Sequence, residues 1–162
     1  MDSTQSFIFE SQSEAQTFEL GKQIGLLLSA GFSIGLNGTL GSGKTRLVKA
    51  IGSGLGIDAE HIVSPTFTLC VPHQGRLRML HVDAYRIEHQ EEMDELGLDE
   101  QLEDGVVLLI EWADRVSASL PPLDLVVTAD PTGDGSRKYT FTANSERAGE
   151  LVSELSSRIA TS

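Results

Sequence analysis

Residues Gly38 to Thr45 read Gly-Thr-Leu-Gly-Ser-Gly-Lys-Thr, the spacing G-x-x-x-x-G-K-[ST] of a phosphate-binding loop. This stretch constrains the fold tightly, because such a loop works only where a strand feeds it and a helix leaves it. Its glycines let the backbone curl so that successive N–H groups point at phosphate oxygens. Lys44 is placed to neutralise the outer phosphates, and the Thr45 hydroxyl to ligate Mg2+. At average composition a chance match in a chain of this length has a probability of about 0.005, so a glycine-rich turn without function is the weaker reading. The flanks agree with the motif. Phe32, Ile34 and Leu36 alternate upstream as in a buried strand, and Leu47, Val48 and Ile51 recur downstream at helical spacing. Gly52, Gly54 and Gly56 supply stop signals. The start of that helix turns its partial positive charge towards the phosphates.

The rest of the pattern surrounds the loop with alternating elements. Phe7–Phe9 is a short strand. Ser13 is a helix N-cap, and Phe18, Leu20, Ile24 and Leu27-Leu28 form the apolar side of the helix after it. Thr66–Val71 and Leu77–Val82 are strands of a hairpin through Pro72-His73-Gln74-Gly75. An acidic helix runs from about Gln90 to Leu102. Val106–Ile110 is a buried strand by its unbroken apolar run. Leu123–Ala129 and Lys138–Ala143 are late strands around a Pro131–Gly135 turn, and Glu146–Ile159 is a closing helix. Strands alternating with helices give an α/β fold, and the two hairpins argue against an all-parallel sheet. The expected architecture is a three-layer P-loop NTPase-like sandwich with a mixed central sheet. It forms one domain over residues 1–162, a length that supports a sizeable core.

Composition removes several functions. The net charge is -12, whereas a protein built to grip nucleic acid carries a basic face. Nine carboxylates and no Lys or Arg lie between Glu88 and Asp104. They read either as a solvated helix face, with Met93 and Leu96 turned inward, or as a docking surface for a basic partner. The longest apolar run, Val106–Ile110, is far too short to cross a bilayer. The start of the chain has no basic, apolar leader, and Cys70 is the single cysteine. Both features fit a cytoplasmic protein in a reducing compartment. No His/Cys spacing matches a zinc site, so His61, His73, His81 and His89 default to surface or loop positions.

Turning a bound triphosphate over also needs an acid at a strand end to organise Mg2+. Asp83 follows the strand Met79–Val82, and Glu111 follows Val106–Ile110. Both remain open as the acid, against a helix cap for Asp83 and a surface ion pair for Glu111. Ligands of open α/β sheets bind at that strand edge. Ser64-Pro65-Thr66-Phe67-Thr68 sets three hydroxyls around a rigid proline after the loop helix, where many nucleotide hydrolases keep a phosphate-sensing switch. Trp112, the single tryptophan, follows Glu111 directly.

Taken in order, these segments resemble the TsaE (YjeE) family of bacterial ATPases in tRNA threonylcarbamoyladenosine biosynthesis. The matching pieces are Glu14–Gly21, Gly38–Thr45, Ser64–Leu69, His81-Val-Asp-Ala-Tyr-Arg86, the acidic stretch ending at Leu98, and Ile110-Glu-Trp112. The resemblance spans about residues 10 to 115 and implies roles. Leu40, Gly41, Ser42, Gly43, Lys44 and Thr45 wrap the phosphates of ATP. Thr45 and Glu111 hold Mg2+, and Asp83 is the Walker B-like acid, itself near the metal. Ser64, Thr66 and Thr68 form the switch, Trp112 matters beside Glu111, and Glu14 and Thr17 lie near the adenine. The partners implied are the TsaB and TsaD proteins, which modify adenosine 37 of tRNAs reading ANN codons, so tRNA is met through that complex. The chain departs from the family loop at Thr39, Ser42 and Arg46, and at Ala113; the backbone binds the phosphates, so the class stands. A P-loop small-molecule kinase would need an Arg-bearing lid, and the eight arginines are scattered. A GTPase would need a guanine-reading N-K-x-D segment, which the sequence lacks. A module that senses ATP without hydrolysing it is the third rival.

Overall fold

The computed structural model describes residues 5–39, 43–63, 70–85 and 87–160. Seven strands pair into one sheet: β1 (Gln5–Ser11), β2 (Ser33–Gly38), β3 (Cys70–Gln74), β4 (Arg78–Asp83), β5 (Val107–Glu111), β6 (Leu125–Gly133) and β7 (Ser136–Ala143). Their order is β1-β7-β6-β2-β5-β4-β3. The central strands β6, β2, β5 and β4 are mutually parallel. The antiparallel pairings lie towards the edges: β3 on β4, β7 on β6, and β1 on β7. The sheet is therefore mixed, as the two hairpins predict.

Helices cover both faces, so the central strands are buried on both sides. On one face lie α1 (Glu14–Leu27), α2 (Lys44–Gly54) and α5 (Glu146–Ala160). On the other lie the short α3 (Glu91–Asp94) and α4 (Leu98–Glu103) and a 3₁₀ segment, Ala113–Ser119. Strand alternation divides β5 between the two cores. Val107 and Leu109 join the α2 side, while Leu108 and Ile110 join the α4 side. The same parity sends Met79 to the α2 side and Leu80 and Val82 to the other. Glu111, like Val107 and Leu109, therefore belongs to the face that carries the phosphate-loop helix.

Local chemistry explains most boundaries. Ser13 caps α1, its hydroxyl accepting from the Gln16 N–H at 3.2 Å. The buried side of α1 is Thr17, Leu20, Gly21, Ile24 and Gly25, whereas Phe18, expected on the apolar side, is exposed. Small residues prevail because α1 lies almost against α2. A Cβ added at Gly25 would stand 2.1 Å from the Ile51 carbonyl oxygen and 2.7 Å from the Gly54 Cα. Gly54 thus belongs to the helix contact as well as to the helix end.

Three expectations are corrected. Pro72, His73 and Gln74 lie inside β3, paired with Leu80, Met79 and Arg78, and the turn falls at 75–77. Proline is tolerated there because β3 is an edge strand. The acidic helix is two short helices, because Gly97 adopts a left-handed φ of 62° between them. The late hairpin turns at 134–135, with β6 carried through Pro131 and a register shift to Gly133. Among the described residues no helix is long and apolar enough to cross a membrane.

Candidate functional site

The parallel strands β2, β4 and β5 end at one edge of the sheet, and their last residues assemble the site. β2 runs out at Gly38 into the loop, and α2 begins at Lys44. Gly43 precedes it with φ 102°, a conformation that favours glycine. A Cβ there would also stand 3.1 Å from both the Arg137 Nε and the Tyr139 hydroxyl.

Lys44 is buried. Its ammonium donates to the Gly38 and Thr39 carbonyls at 2.8 Å each and lies 4.0 Å from the Trp112 ring centroid. Burial pushes its pKa down, and the nearby carboxylates of Glu111, Asp83 and Asp114 pull it back up. The Thr45 hydroxyl donates to Glu111 Oε1 at 2.9 Å, joining residues 66 positions apart. Glu111 is only 2% exposed, so the surface ion pair is excluded. Its other oxygen, Oε2, lies 2.5 Å from His81 Nε2. Asp83 stands opposite Glu111 in the β4–β5 register, and its Oδ1 accepts from the Tyr85 N–H at 3.0 Å. Burial raises the pKa of Asp83; the Tyr85 N–H opposes this, while the Glu111 charge adds to it.

Trp112 is the one described non-glycine residue with positive φ, at 61°. A bulky residue in this region is strained. Its N–H donates to the Leu36 carbonyl at 2.8 Å, tying the end of β5 to β2. Its ring meets Tyr85 with centroids 5.0 Å apart. Asn37 accepts from the Asp114 N–H at 3.0 Å, fixing the same corner from the other side.

The structure thus brings Gly43, Lys44, Thr45, Asp83, Glu111 and Trp112 to one strand edge. Glu14 reaches the first turn of α2 through an ion pair with Arg46, and both side chains are exposed. Thr17 is buried, its hydroxyl donating to the Ser11 Oγ at 2.7 Å. Leu40, Gly41, Ser42, Ser64, Thr66, Thr68 and Arg86 lie outside the described residues. Sequence reasoning missed three neighbours. His81, assigned to a surface or loop, is fully buried on β4. Its signal was the alternation Met79, His81, Asp83, which puts it on the α2 face of a strand covered on both sides. Arg137 and Tyr139, at the far end of the chain, close on the loop only because β7 folds back beside β6, and no local signal marks them.

These groups are hard oxygen donors beside an ammonium and a helix N-terminus, a set suited to Mg2+ held jointly with phosphate. Among the described residues no group of three or more His, Cys, Asp and Glu side chains could hold a metal alone.

The family described as threonylcarbamoyl adenosine biosynthesis protein TsaE matches residues 11–139. The tRNA threonylcarbamoyladenosine biosynthesis protein TsaE of Treponema pallidum (strain Nichols) is 38% identical over 130 residues, covering 80% of this chain and 96% of that protein. The protein of the same name from Bacillus subtilis (strain 168) is 37% identical over 142 residues, 87% of this chain and 88% of that one. The crystal structure of Bacillus subtilis YdiB superposes with a TM-score of 0.80 at 30% identity, covering 98% of this chain and 99% of that one.

Proposed function

The chain belongs to the TsaE family, and from that premise we propose that it is the ATP-binding, Mg2+-dependent ATPase of tRNA threonylcarbamoyladenosine biosynthesis. It works in the cytoplasm with the TsaB and TsaD proteins, which carry the threonylcarbamoyl group to adenosine 37 of tRNAs reading ANN codons. Residues 1–162 act as one ATPase domain.

The observation that carries the reading is the Thr45–Glu111 hydrogen bond of 2.9 Å. It joins the first turn of the phosphate-loop helix to the end of the central strand, where a nucleotide hydrolase needs its metal-organising oxygens. Thr45 and Glu111 are the residues that would hold Mg2+, with Asp83 in register behind them. Held there, Mg2+ would supply positive charge to offset that of the bound phosphates. Lys44 brings a positive charge that burial has already destabilised, so an anionic partner is favoured there. Arg137, beside Gly43, adds a second cation on the loop side. Glu111 and Asp83 present carboxylate oxygens at the strand edge to orient an attacking water. Trp112 shields Lys44 from one side, where a drier surrounding strengthens its attraction for phosphate.

The acidic balance of -12 suits a subunit that drives a partner rather than gripping tRNA. Reconstitution tests the reading: tRNA modification and ATP hydrolysis are measured with TsaB and TsaD, with and without this chain. Modification over many turnovers that depends on this chain and on ATP supports it. Multiple turnovers proceeding equally well without the chain would defeat it.

A further inference from the structure

His81 is the one described histidine that is fully buried, and it lies one register step inside the strand edge, opposite Leu109. It cannot reach a nucleotide. Its Nε2 instead meets Glu111 Oε2 at 2.5 Å, across the diagonal between β4 and β5. Its Nδ1 is buried without a hydrogen-bond partner. A proton on Nδ1 would have no acceptor, so the ring proton is best placed on Nε2, donated to Glu111. The carboxylate is then gripped at both oxygens: Oε1 by Thr45 from α2, and Oε2 by His81 from β4. With one grip removed, Glu111 is free to turn about its terminal bond, and a carboxylate buried at 2% exposure loses a charge-assisted hydrogen bond.

We propose that His81 is a positioning residue: it locks the Glu111 carboxylate in the orientation from which that group, together with Thr45, holds Mg2+. The role rests on the Mg2+-dependent ATPase reading above. It assigns to His81 the outer-shell function that elsewhere tunes metal affinity by about 10–100-fold.

The test is equilibrium binding of a fluorescent ATP analogue, titrated with Mg2+ and repeated in EDTA, on wild type, His81→Leu, His81→Asn and His81→Gln. The glutamine amide nitrogen can stand where Nε2 stands, and the asparagine nitrogen stands nearer Nδ1. The expected result for His81→Leu is metal-free affinity within about 3-fold of wild type, with about 10–100-fold more Mg2+ needed for half of the metal effect. His81→Gln restores the Mg2+ dependence to within about 3-fold, and His81→Asn fails like leucine and replaces it if the leucine variant does not fold. A merely structural histidine would lower thermal stability and metal-free binding together in all three variants, and that pattern overturns the proposal. So does a His81→Leu protein with wild-type Mg2+ dependence. Wild-type binding that ignores Mg2+ would sink the ATPase reading, and the positioning role with it.

Discussion

Replacing Gly25 with alanine tests whether the α1–α2 contact is as close as the structure has it. Alanine is the better helix former, and in open space the change would stabilise by about 1 kcal/mol. Here the new methyl would stand 2.1 Å from the Ile51 carbonyl oxygen and 2.7 Å from the Gly54 Cα. Both are backbone atoms, so no side chain can swing aside and the helices must part by roughly 1 Å, which forfeits a quarter to a half of each dispersion contact along the seam. Overpacking of this kind costs about 3 kcal/mol. The net loss is therefore about 2 kcal/mol, a fall in Tm of roughly 4–8 °C for a chain of this size. Gly149 in α5 is the control. A Cβ there meets only the end of the Gln5 side chain, at 3.3 Å. That side chain can move, so Gly149→Ala raises Tm by roughly 1–4 °C. Thermal melts followed by circular dichroism read both. If Gly25→Ala also melts higher, the close approach is wrong, and with it the placement of the helix that begins at Lys44.

Lys44→Ala removes the cation at the loop and lowers affinity for an ATP analogue by about 100-fold or more, a loss of about 2.7 kcal/mol; calorimetric titration checks it. Asp124 gives the pH dependence. Burial alone would raise its pKa, but Arg147, Ser145 and the Ser33 N–H outweigh that and hold it below the ordinary 3.8. A depressed folded-state pKa means stability present above 3.8 and lost as pH falls through the lower folded value. The Tm gap between wild type and Asp124→Asn is thus widest above pH 4 and narrows in stronger acid; melts across that range would show it.

Much of this was legible in the chain. The loop spacing carried its own strand and helix, and the apolar run at Val106–Ile110 identified the central strand β5, which placed Glu111 at the C-terminal edge of the parallel strands. What escaped depended on tertiary neighbours. His81 looks like any exposed histidine until β4 is known to be covered on both faces. Arg137 and Tyr139 reach Gly43 only through the order β1-β7-β6-β2, which no local pattern encodes. The hairpin turn was misplaced because Pro72 reads as a breaker, yet an edge strand leaves its missing N–H without consequence. Gly75 sets the real turn, since a Cβ there would stand 2.4 Å from the Leu55 carbonyl oxygen.

The central claim is that Glu111, joined to Thr45, organises ATP turnover rather than ATP binding. Glu111→Ala should be assayed for both in the presence of the two partner proteins. At saturating Mg2+, nucleotide affinity is expected within about 3-fold of wild type and partner-stimulated hydrolysis reduced by about 100-fold, roughly 2.7 kcal/mol of barrier. Partner-stimulated hydrolysis at the wild-type rate would contradict it.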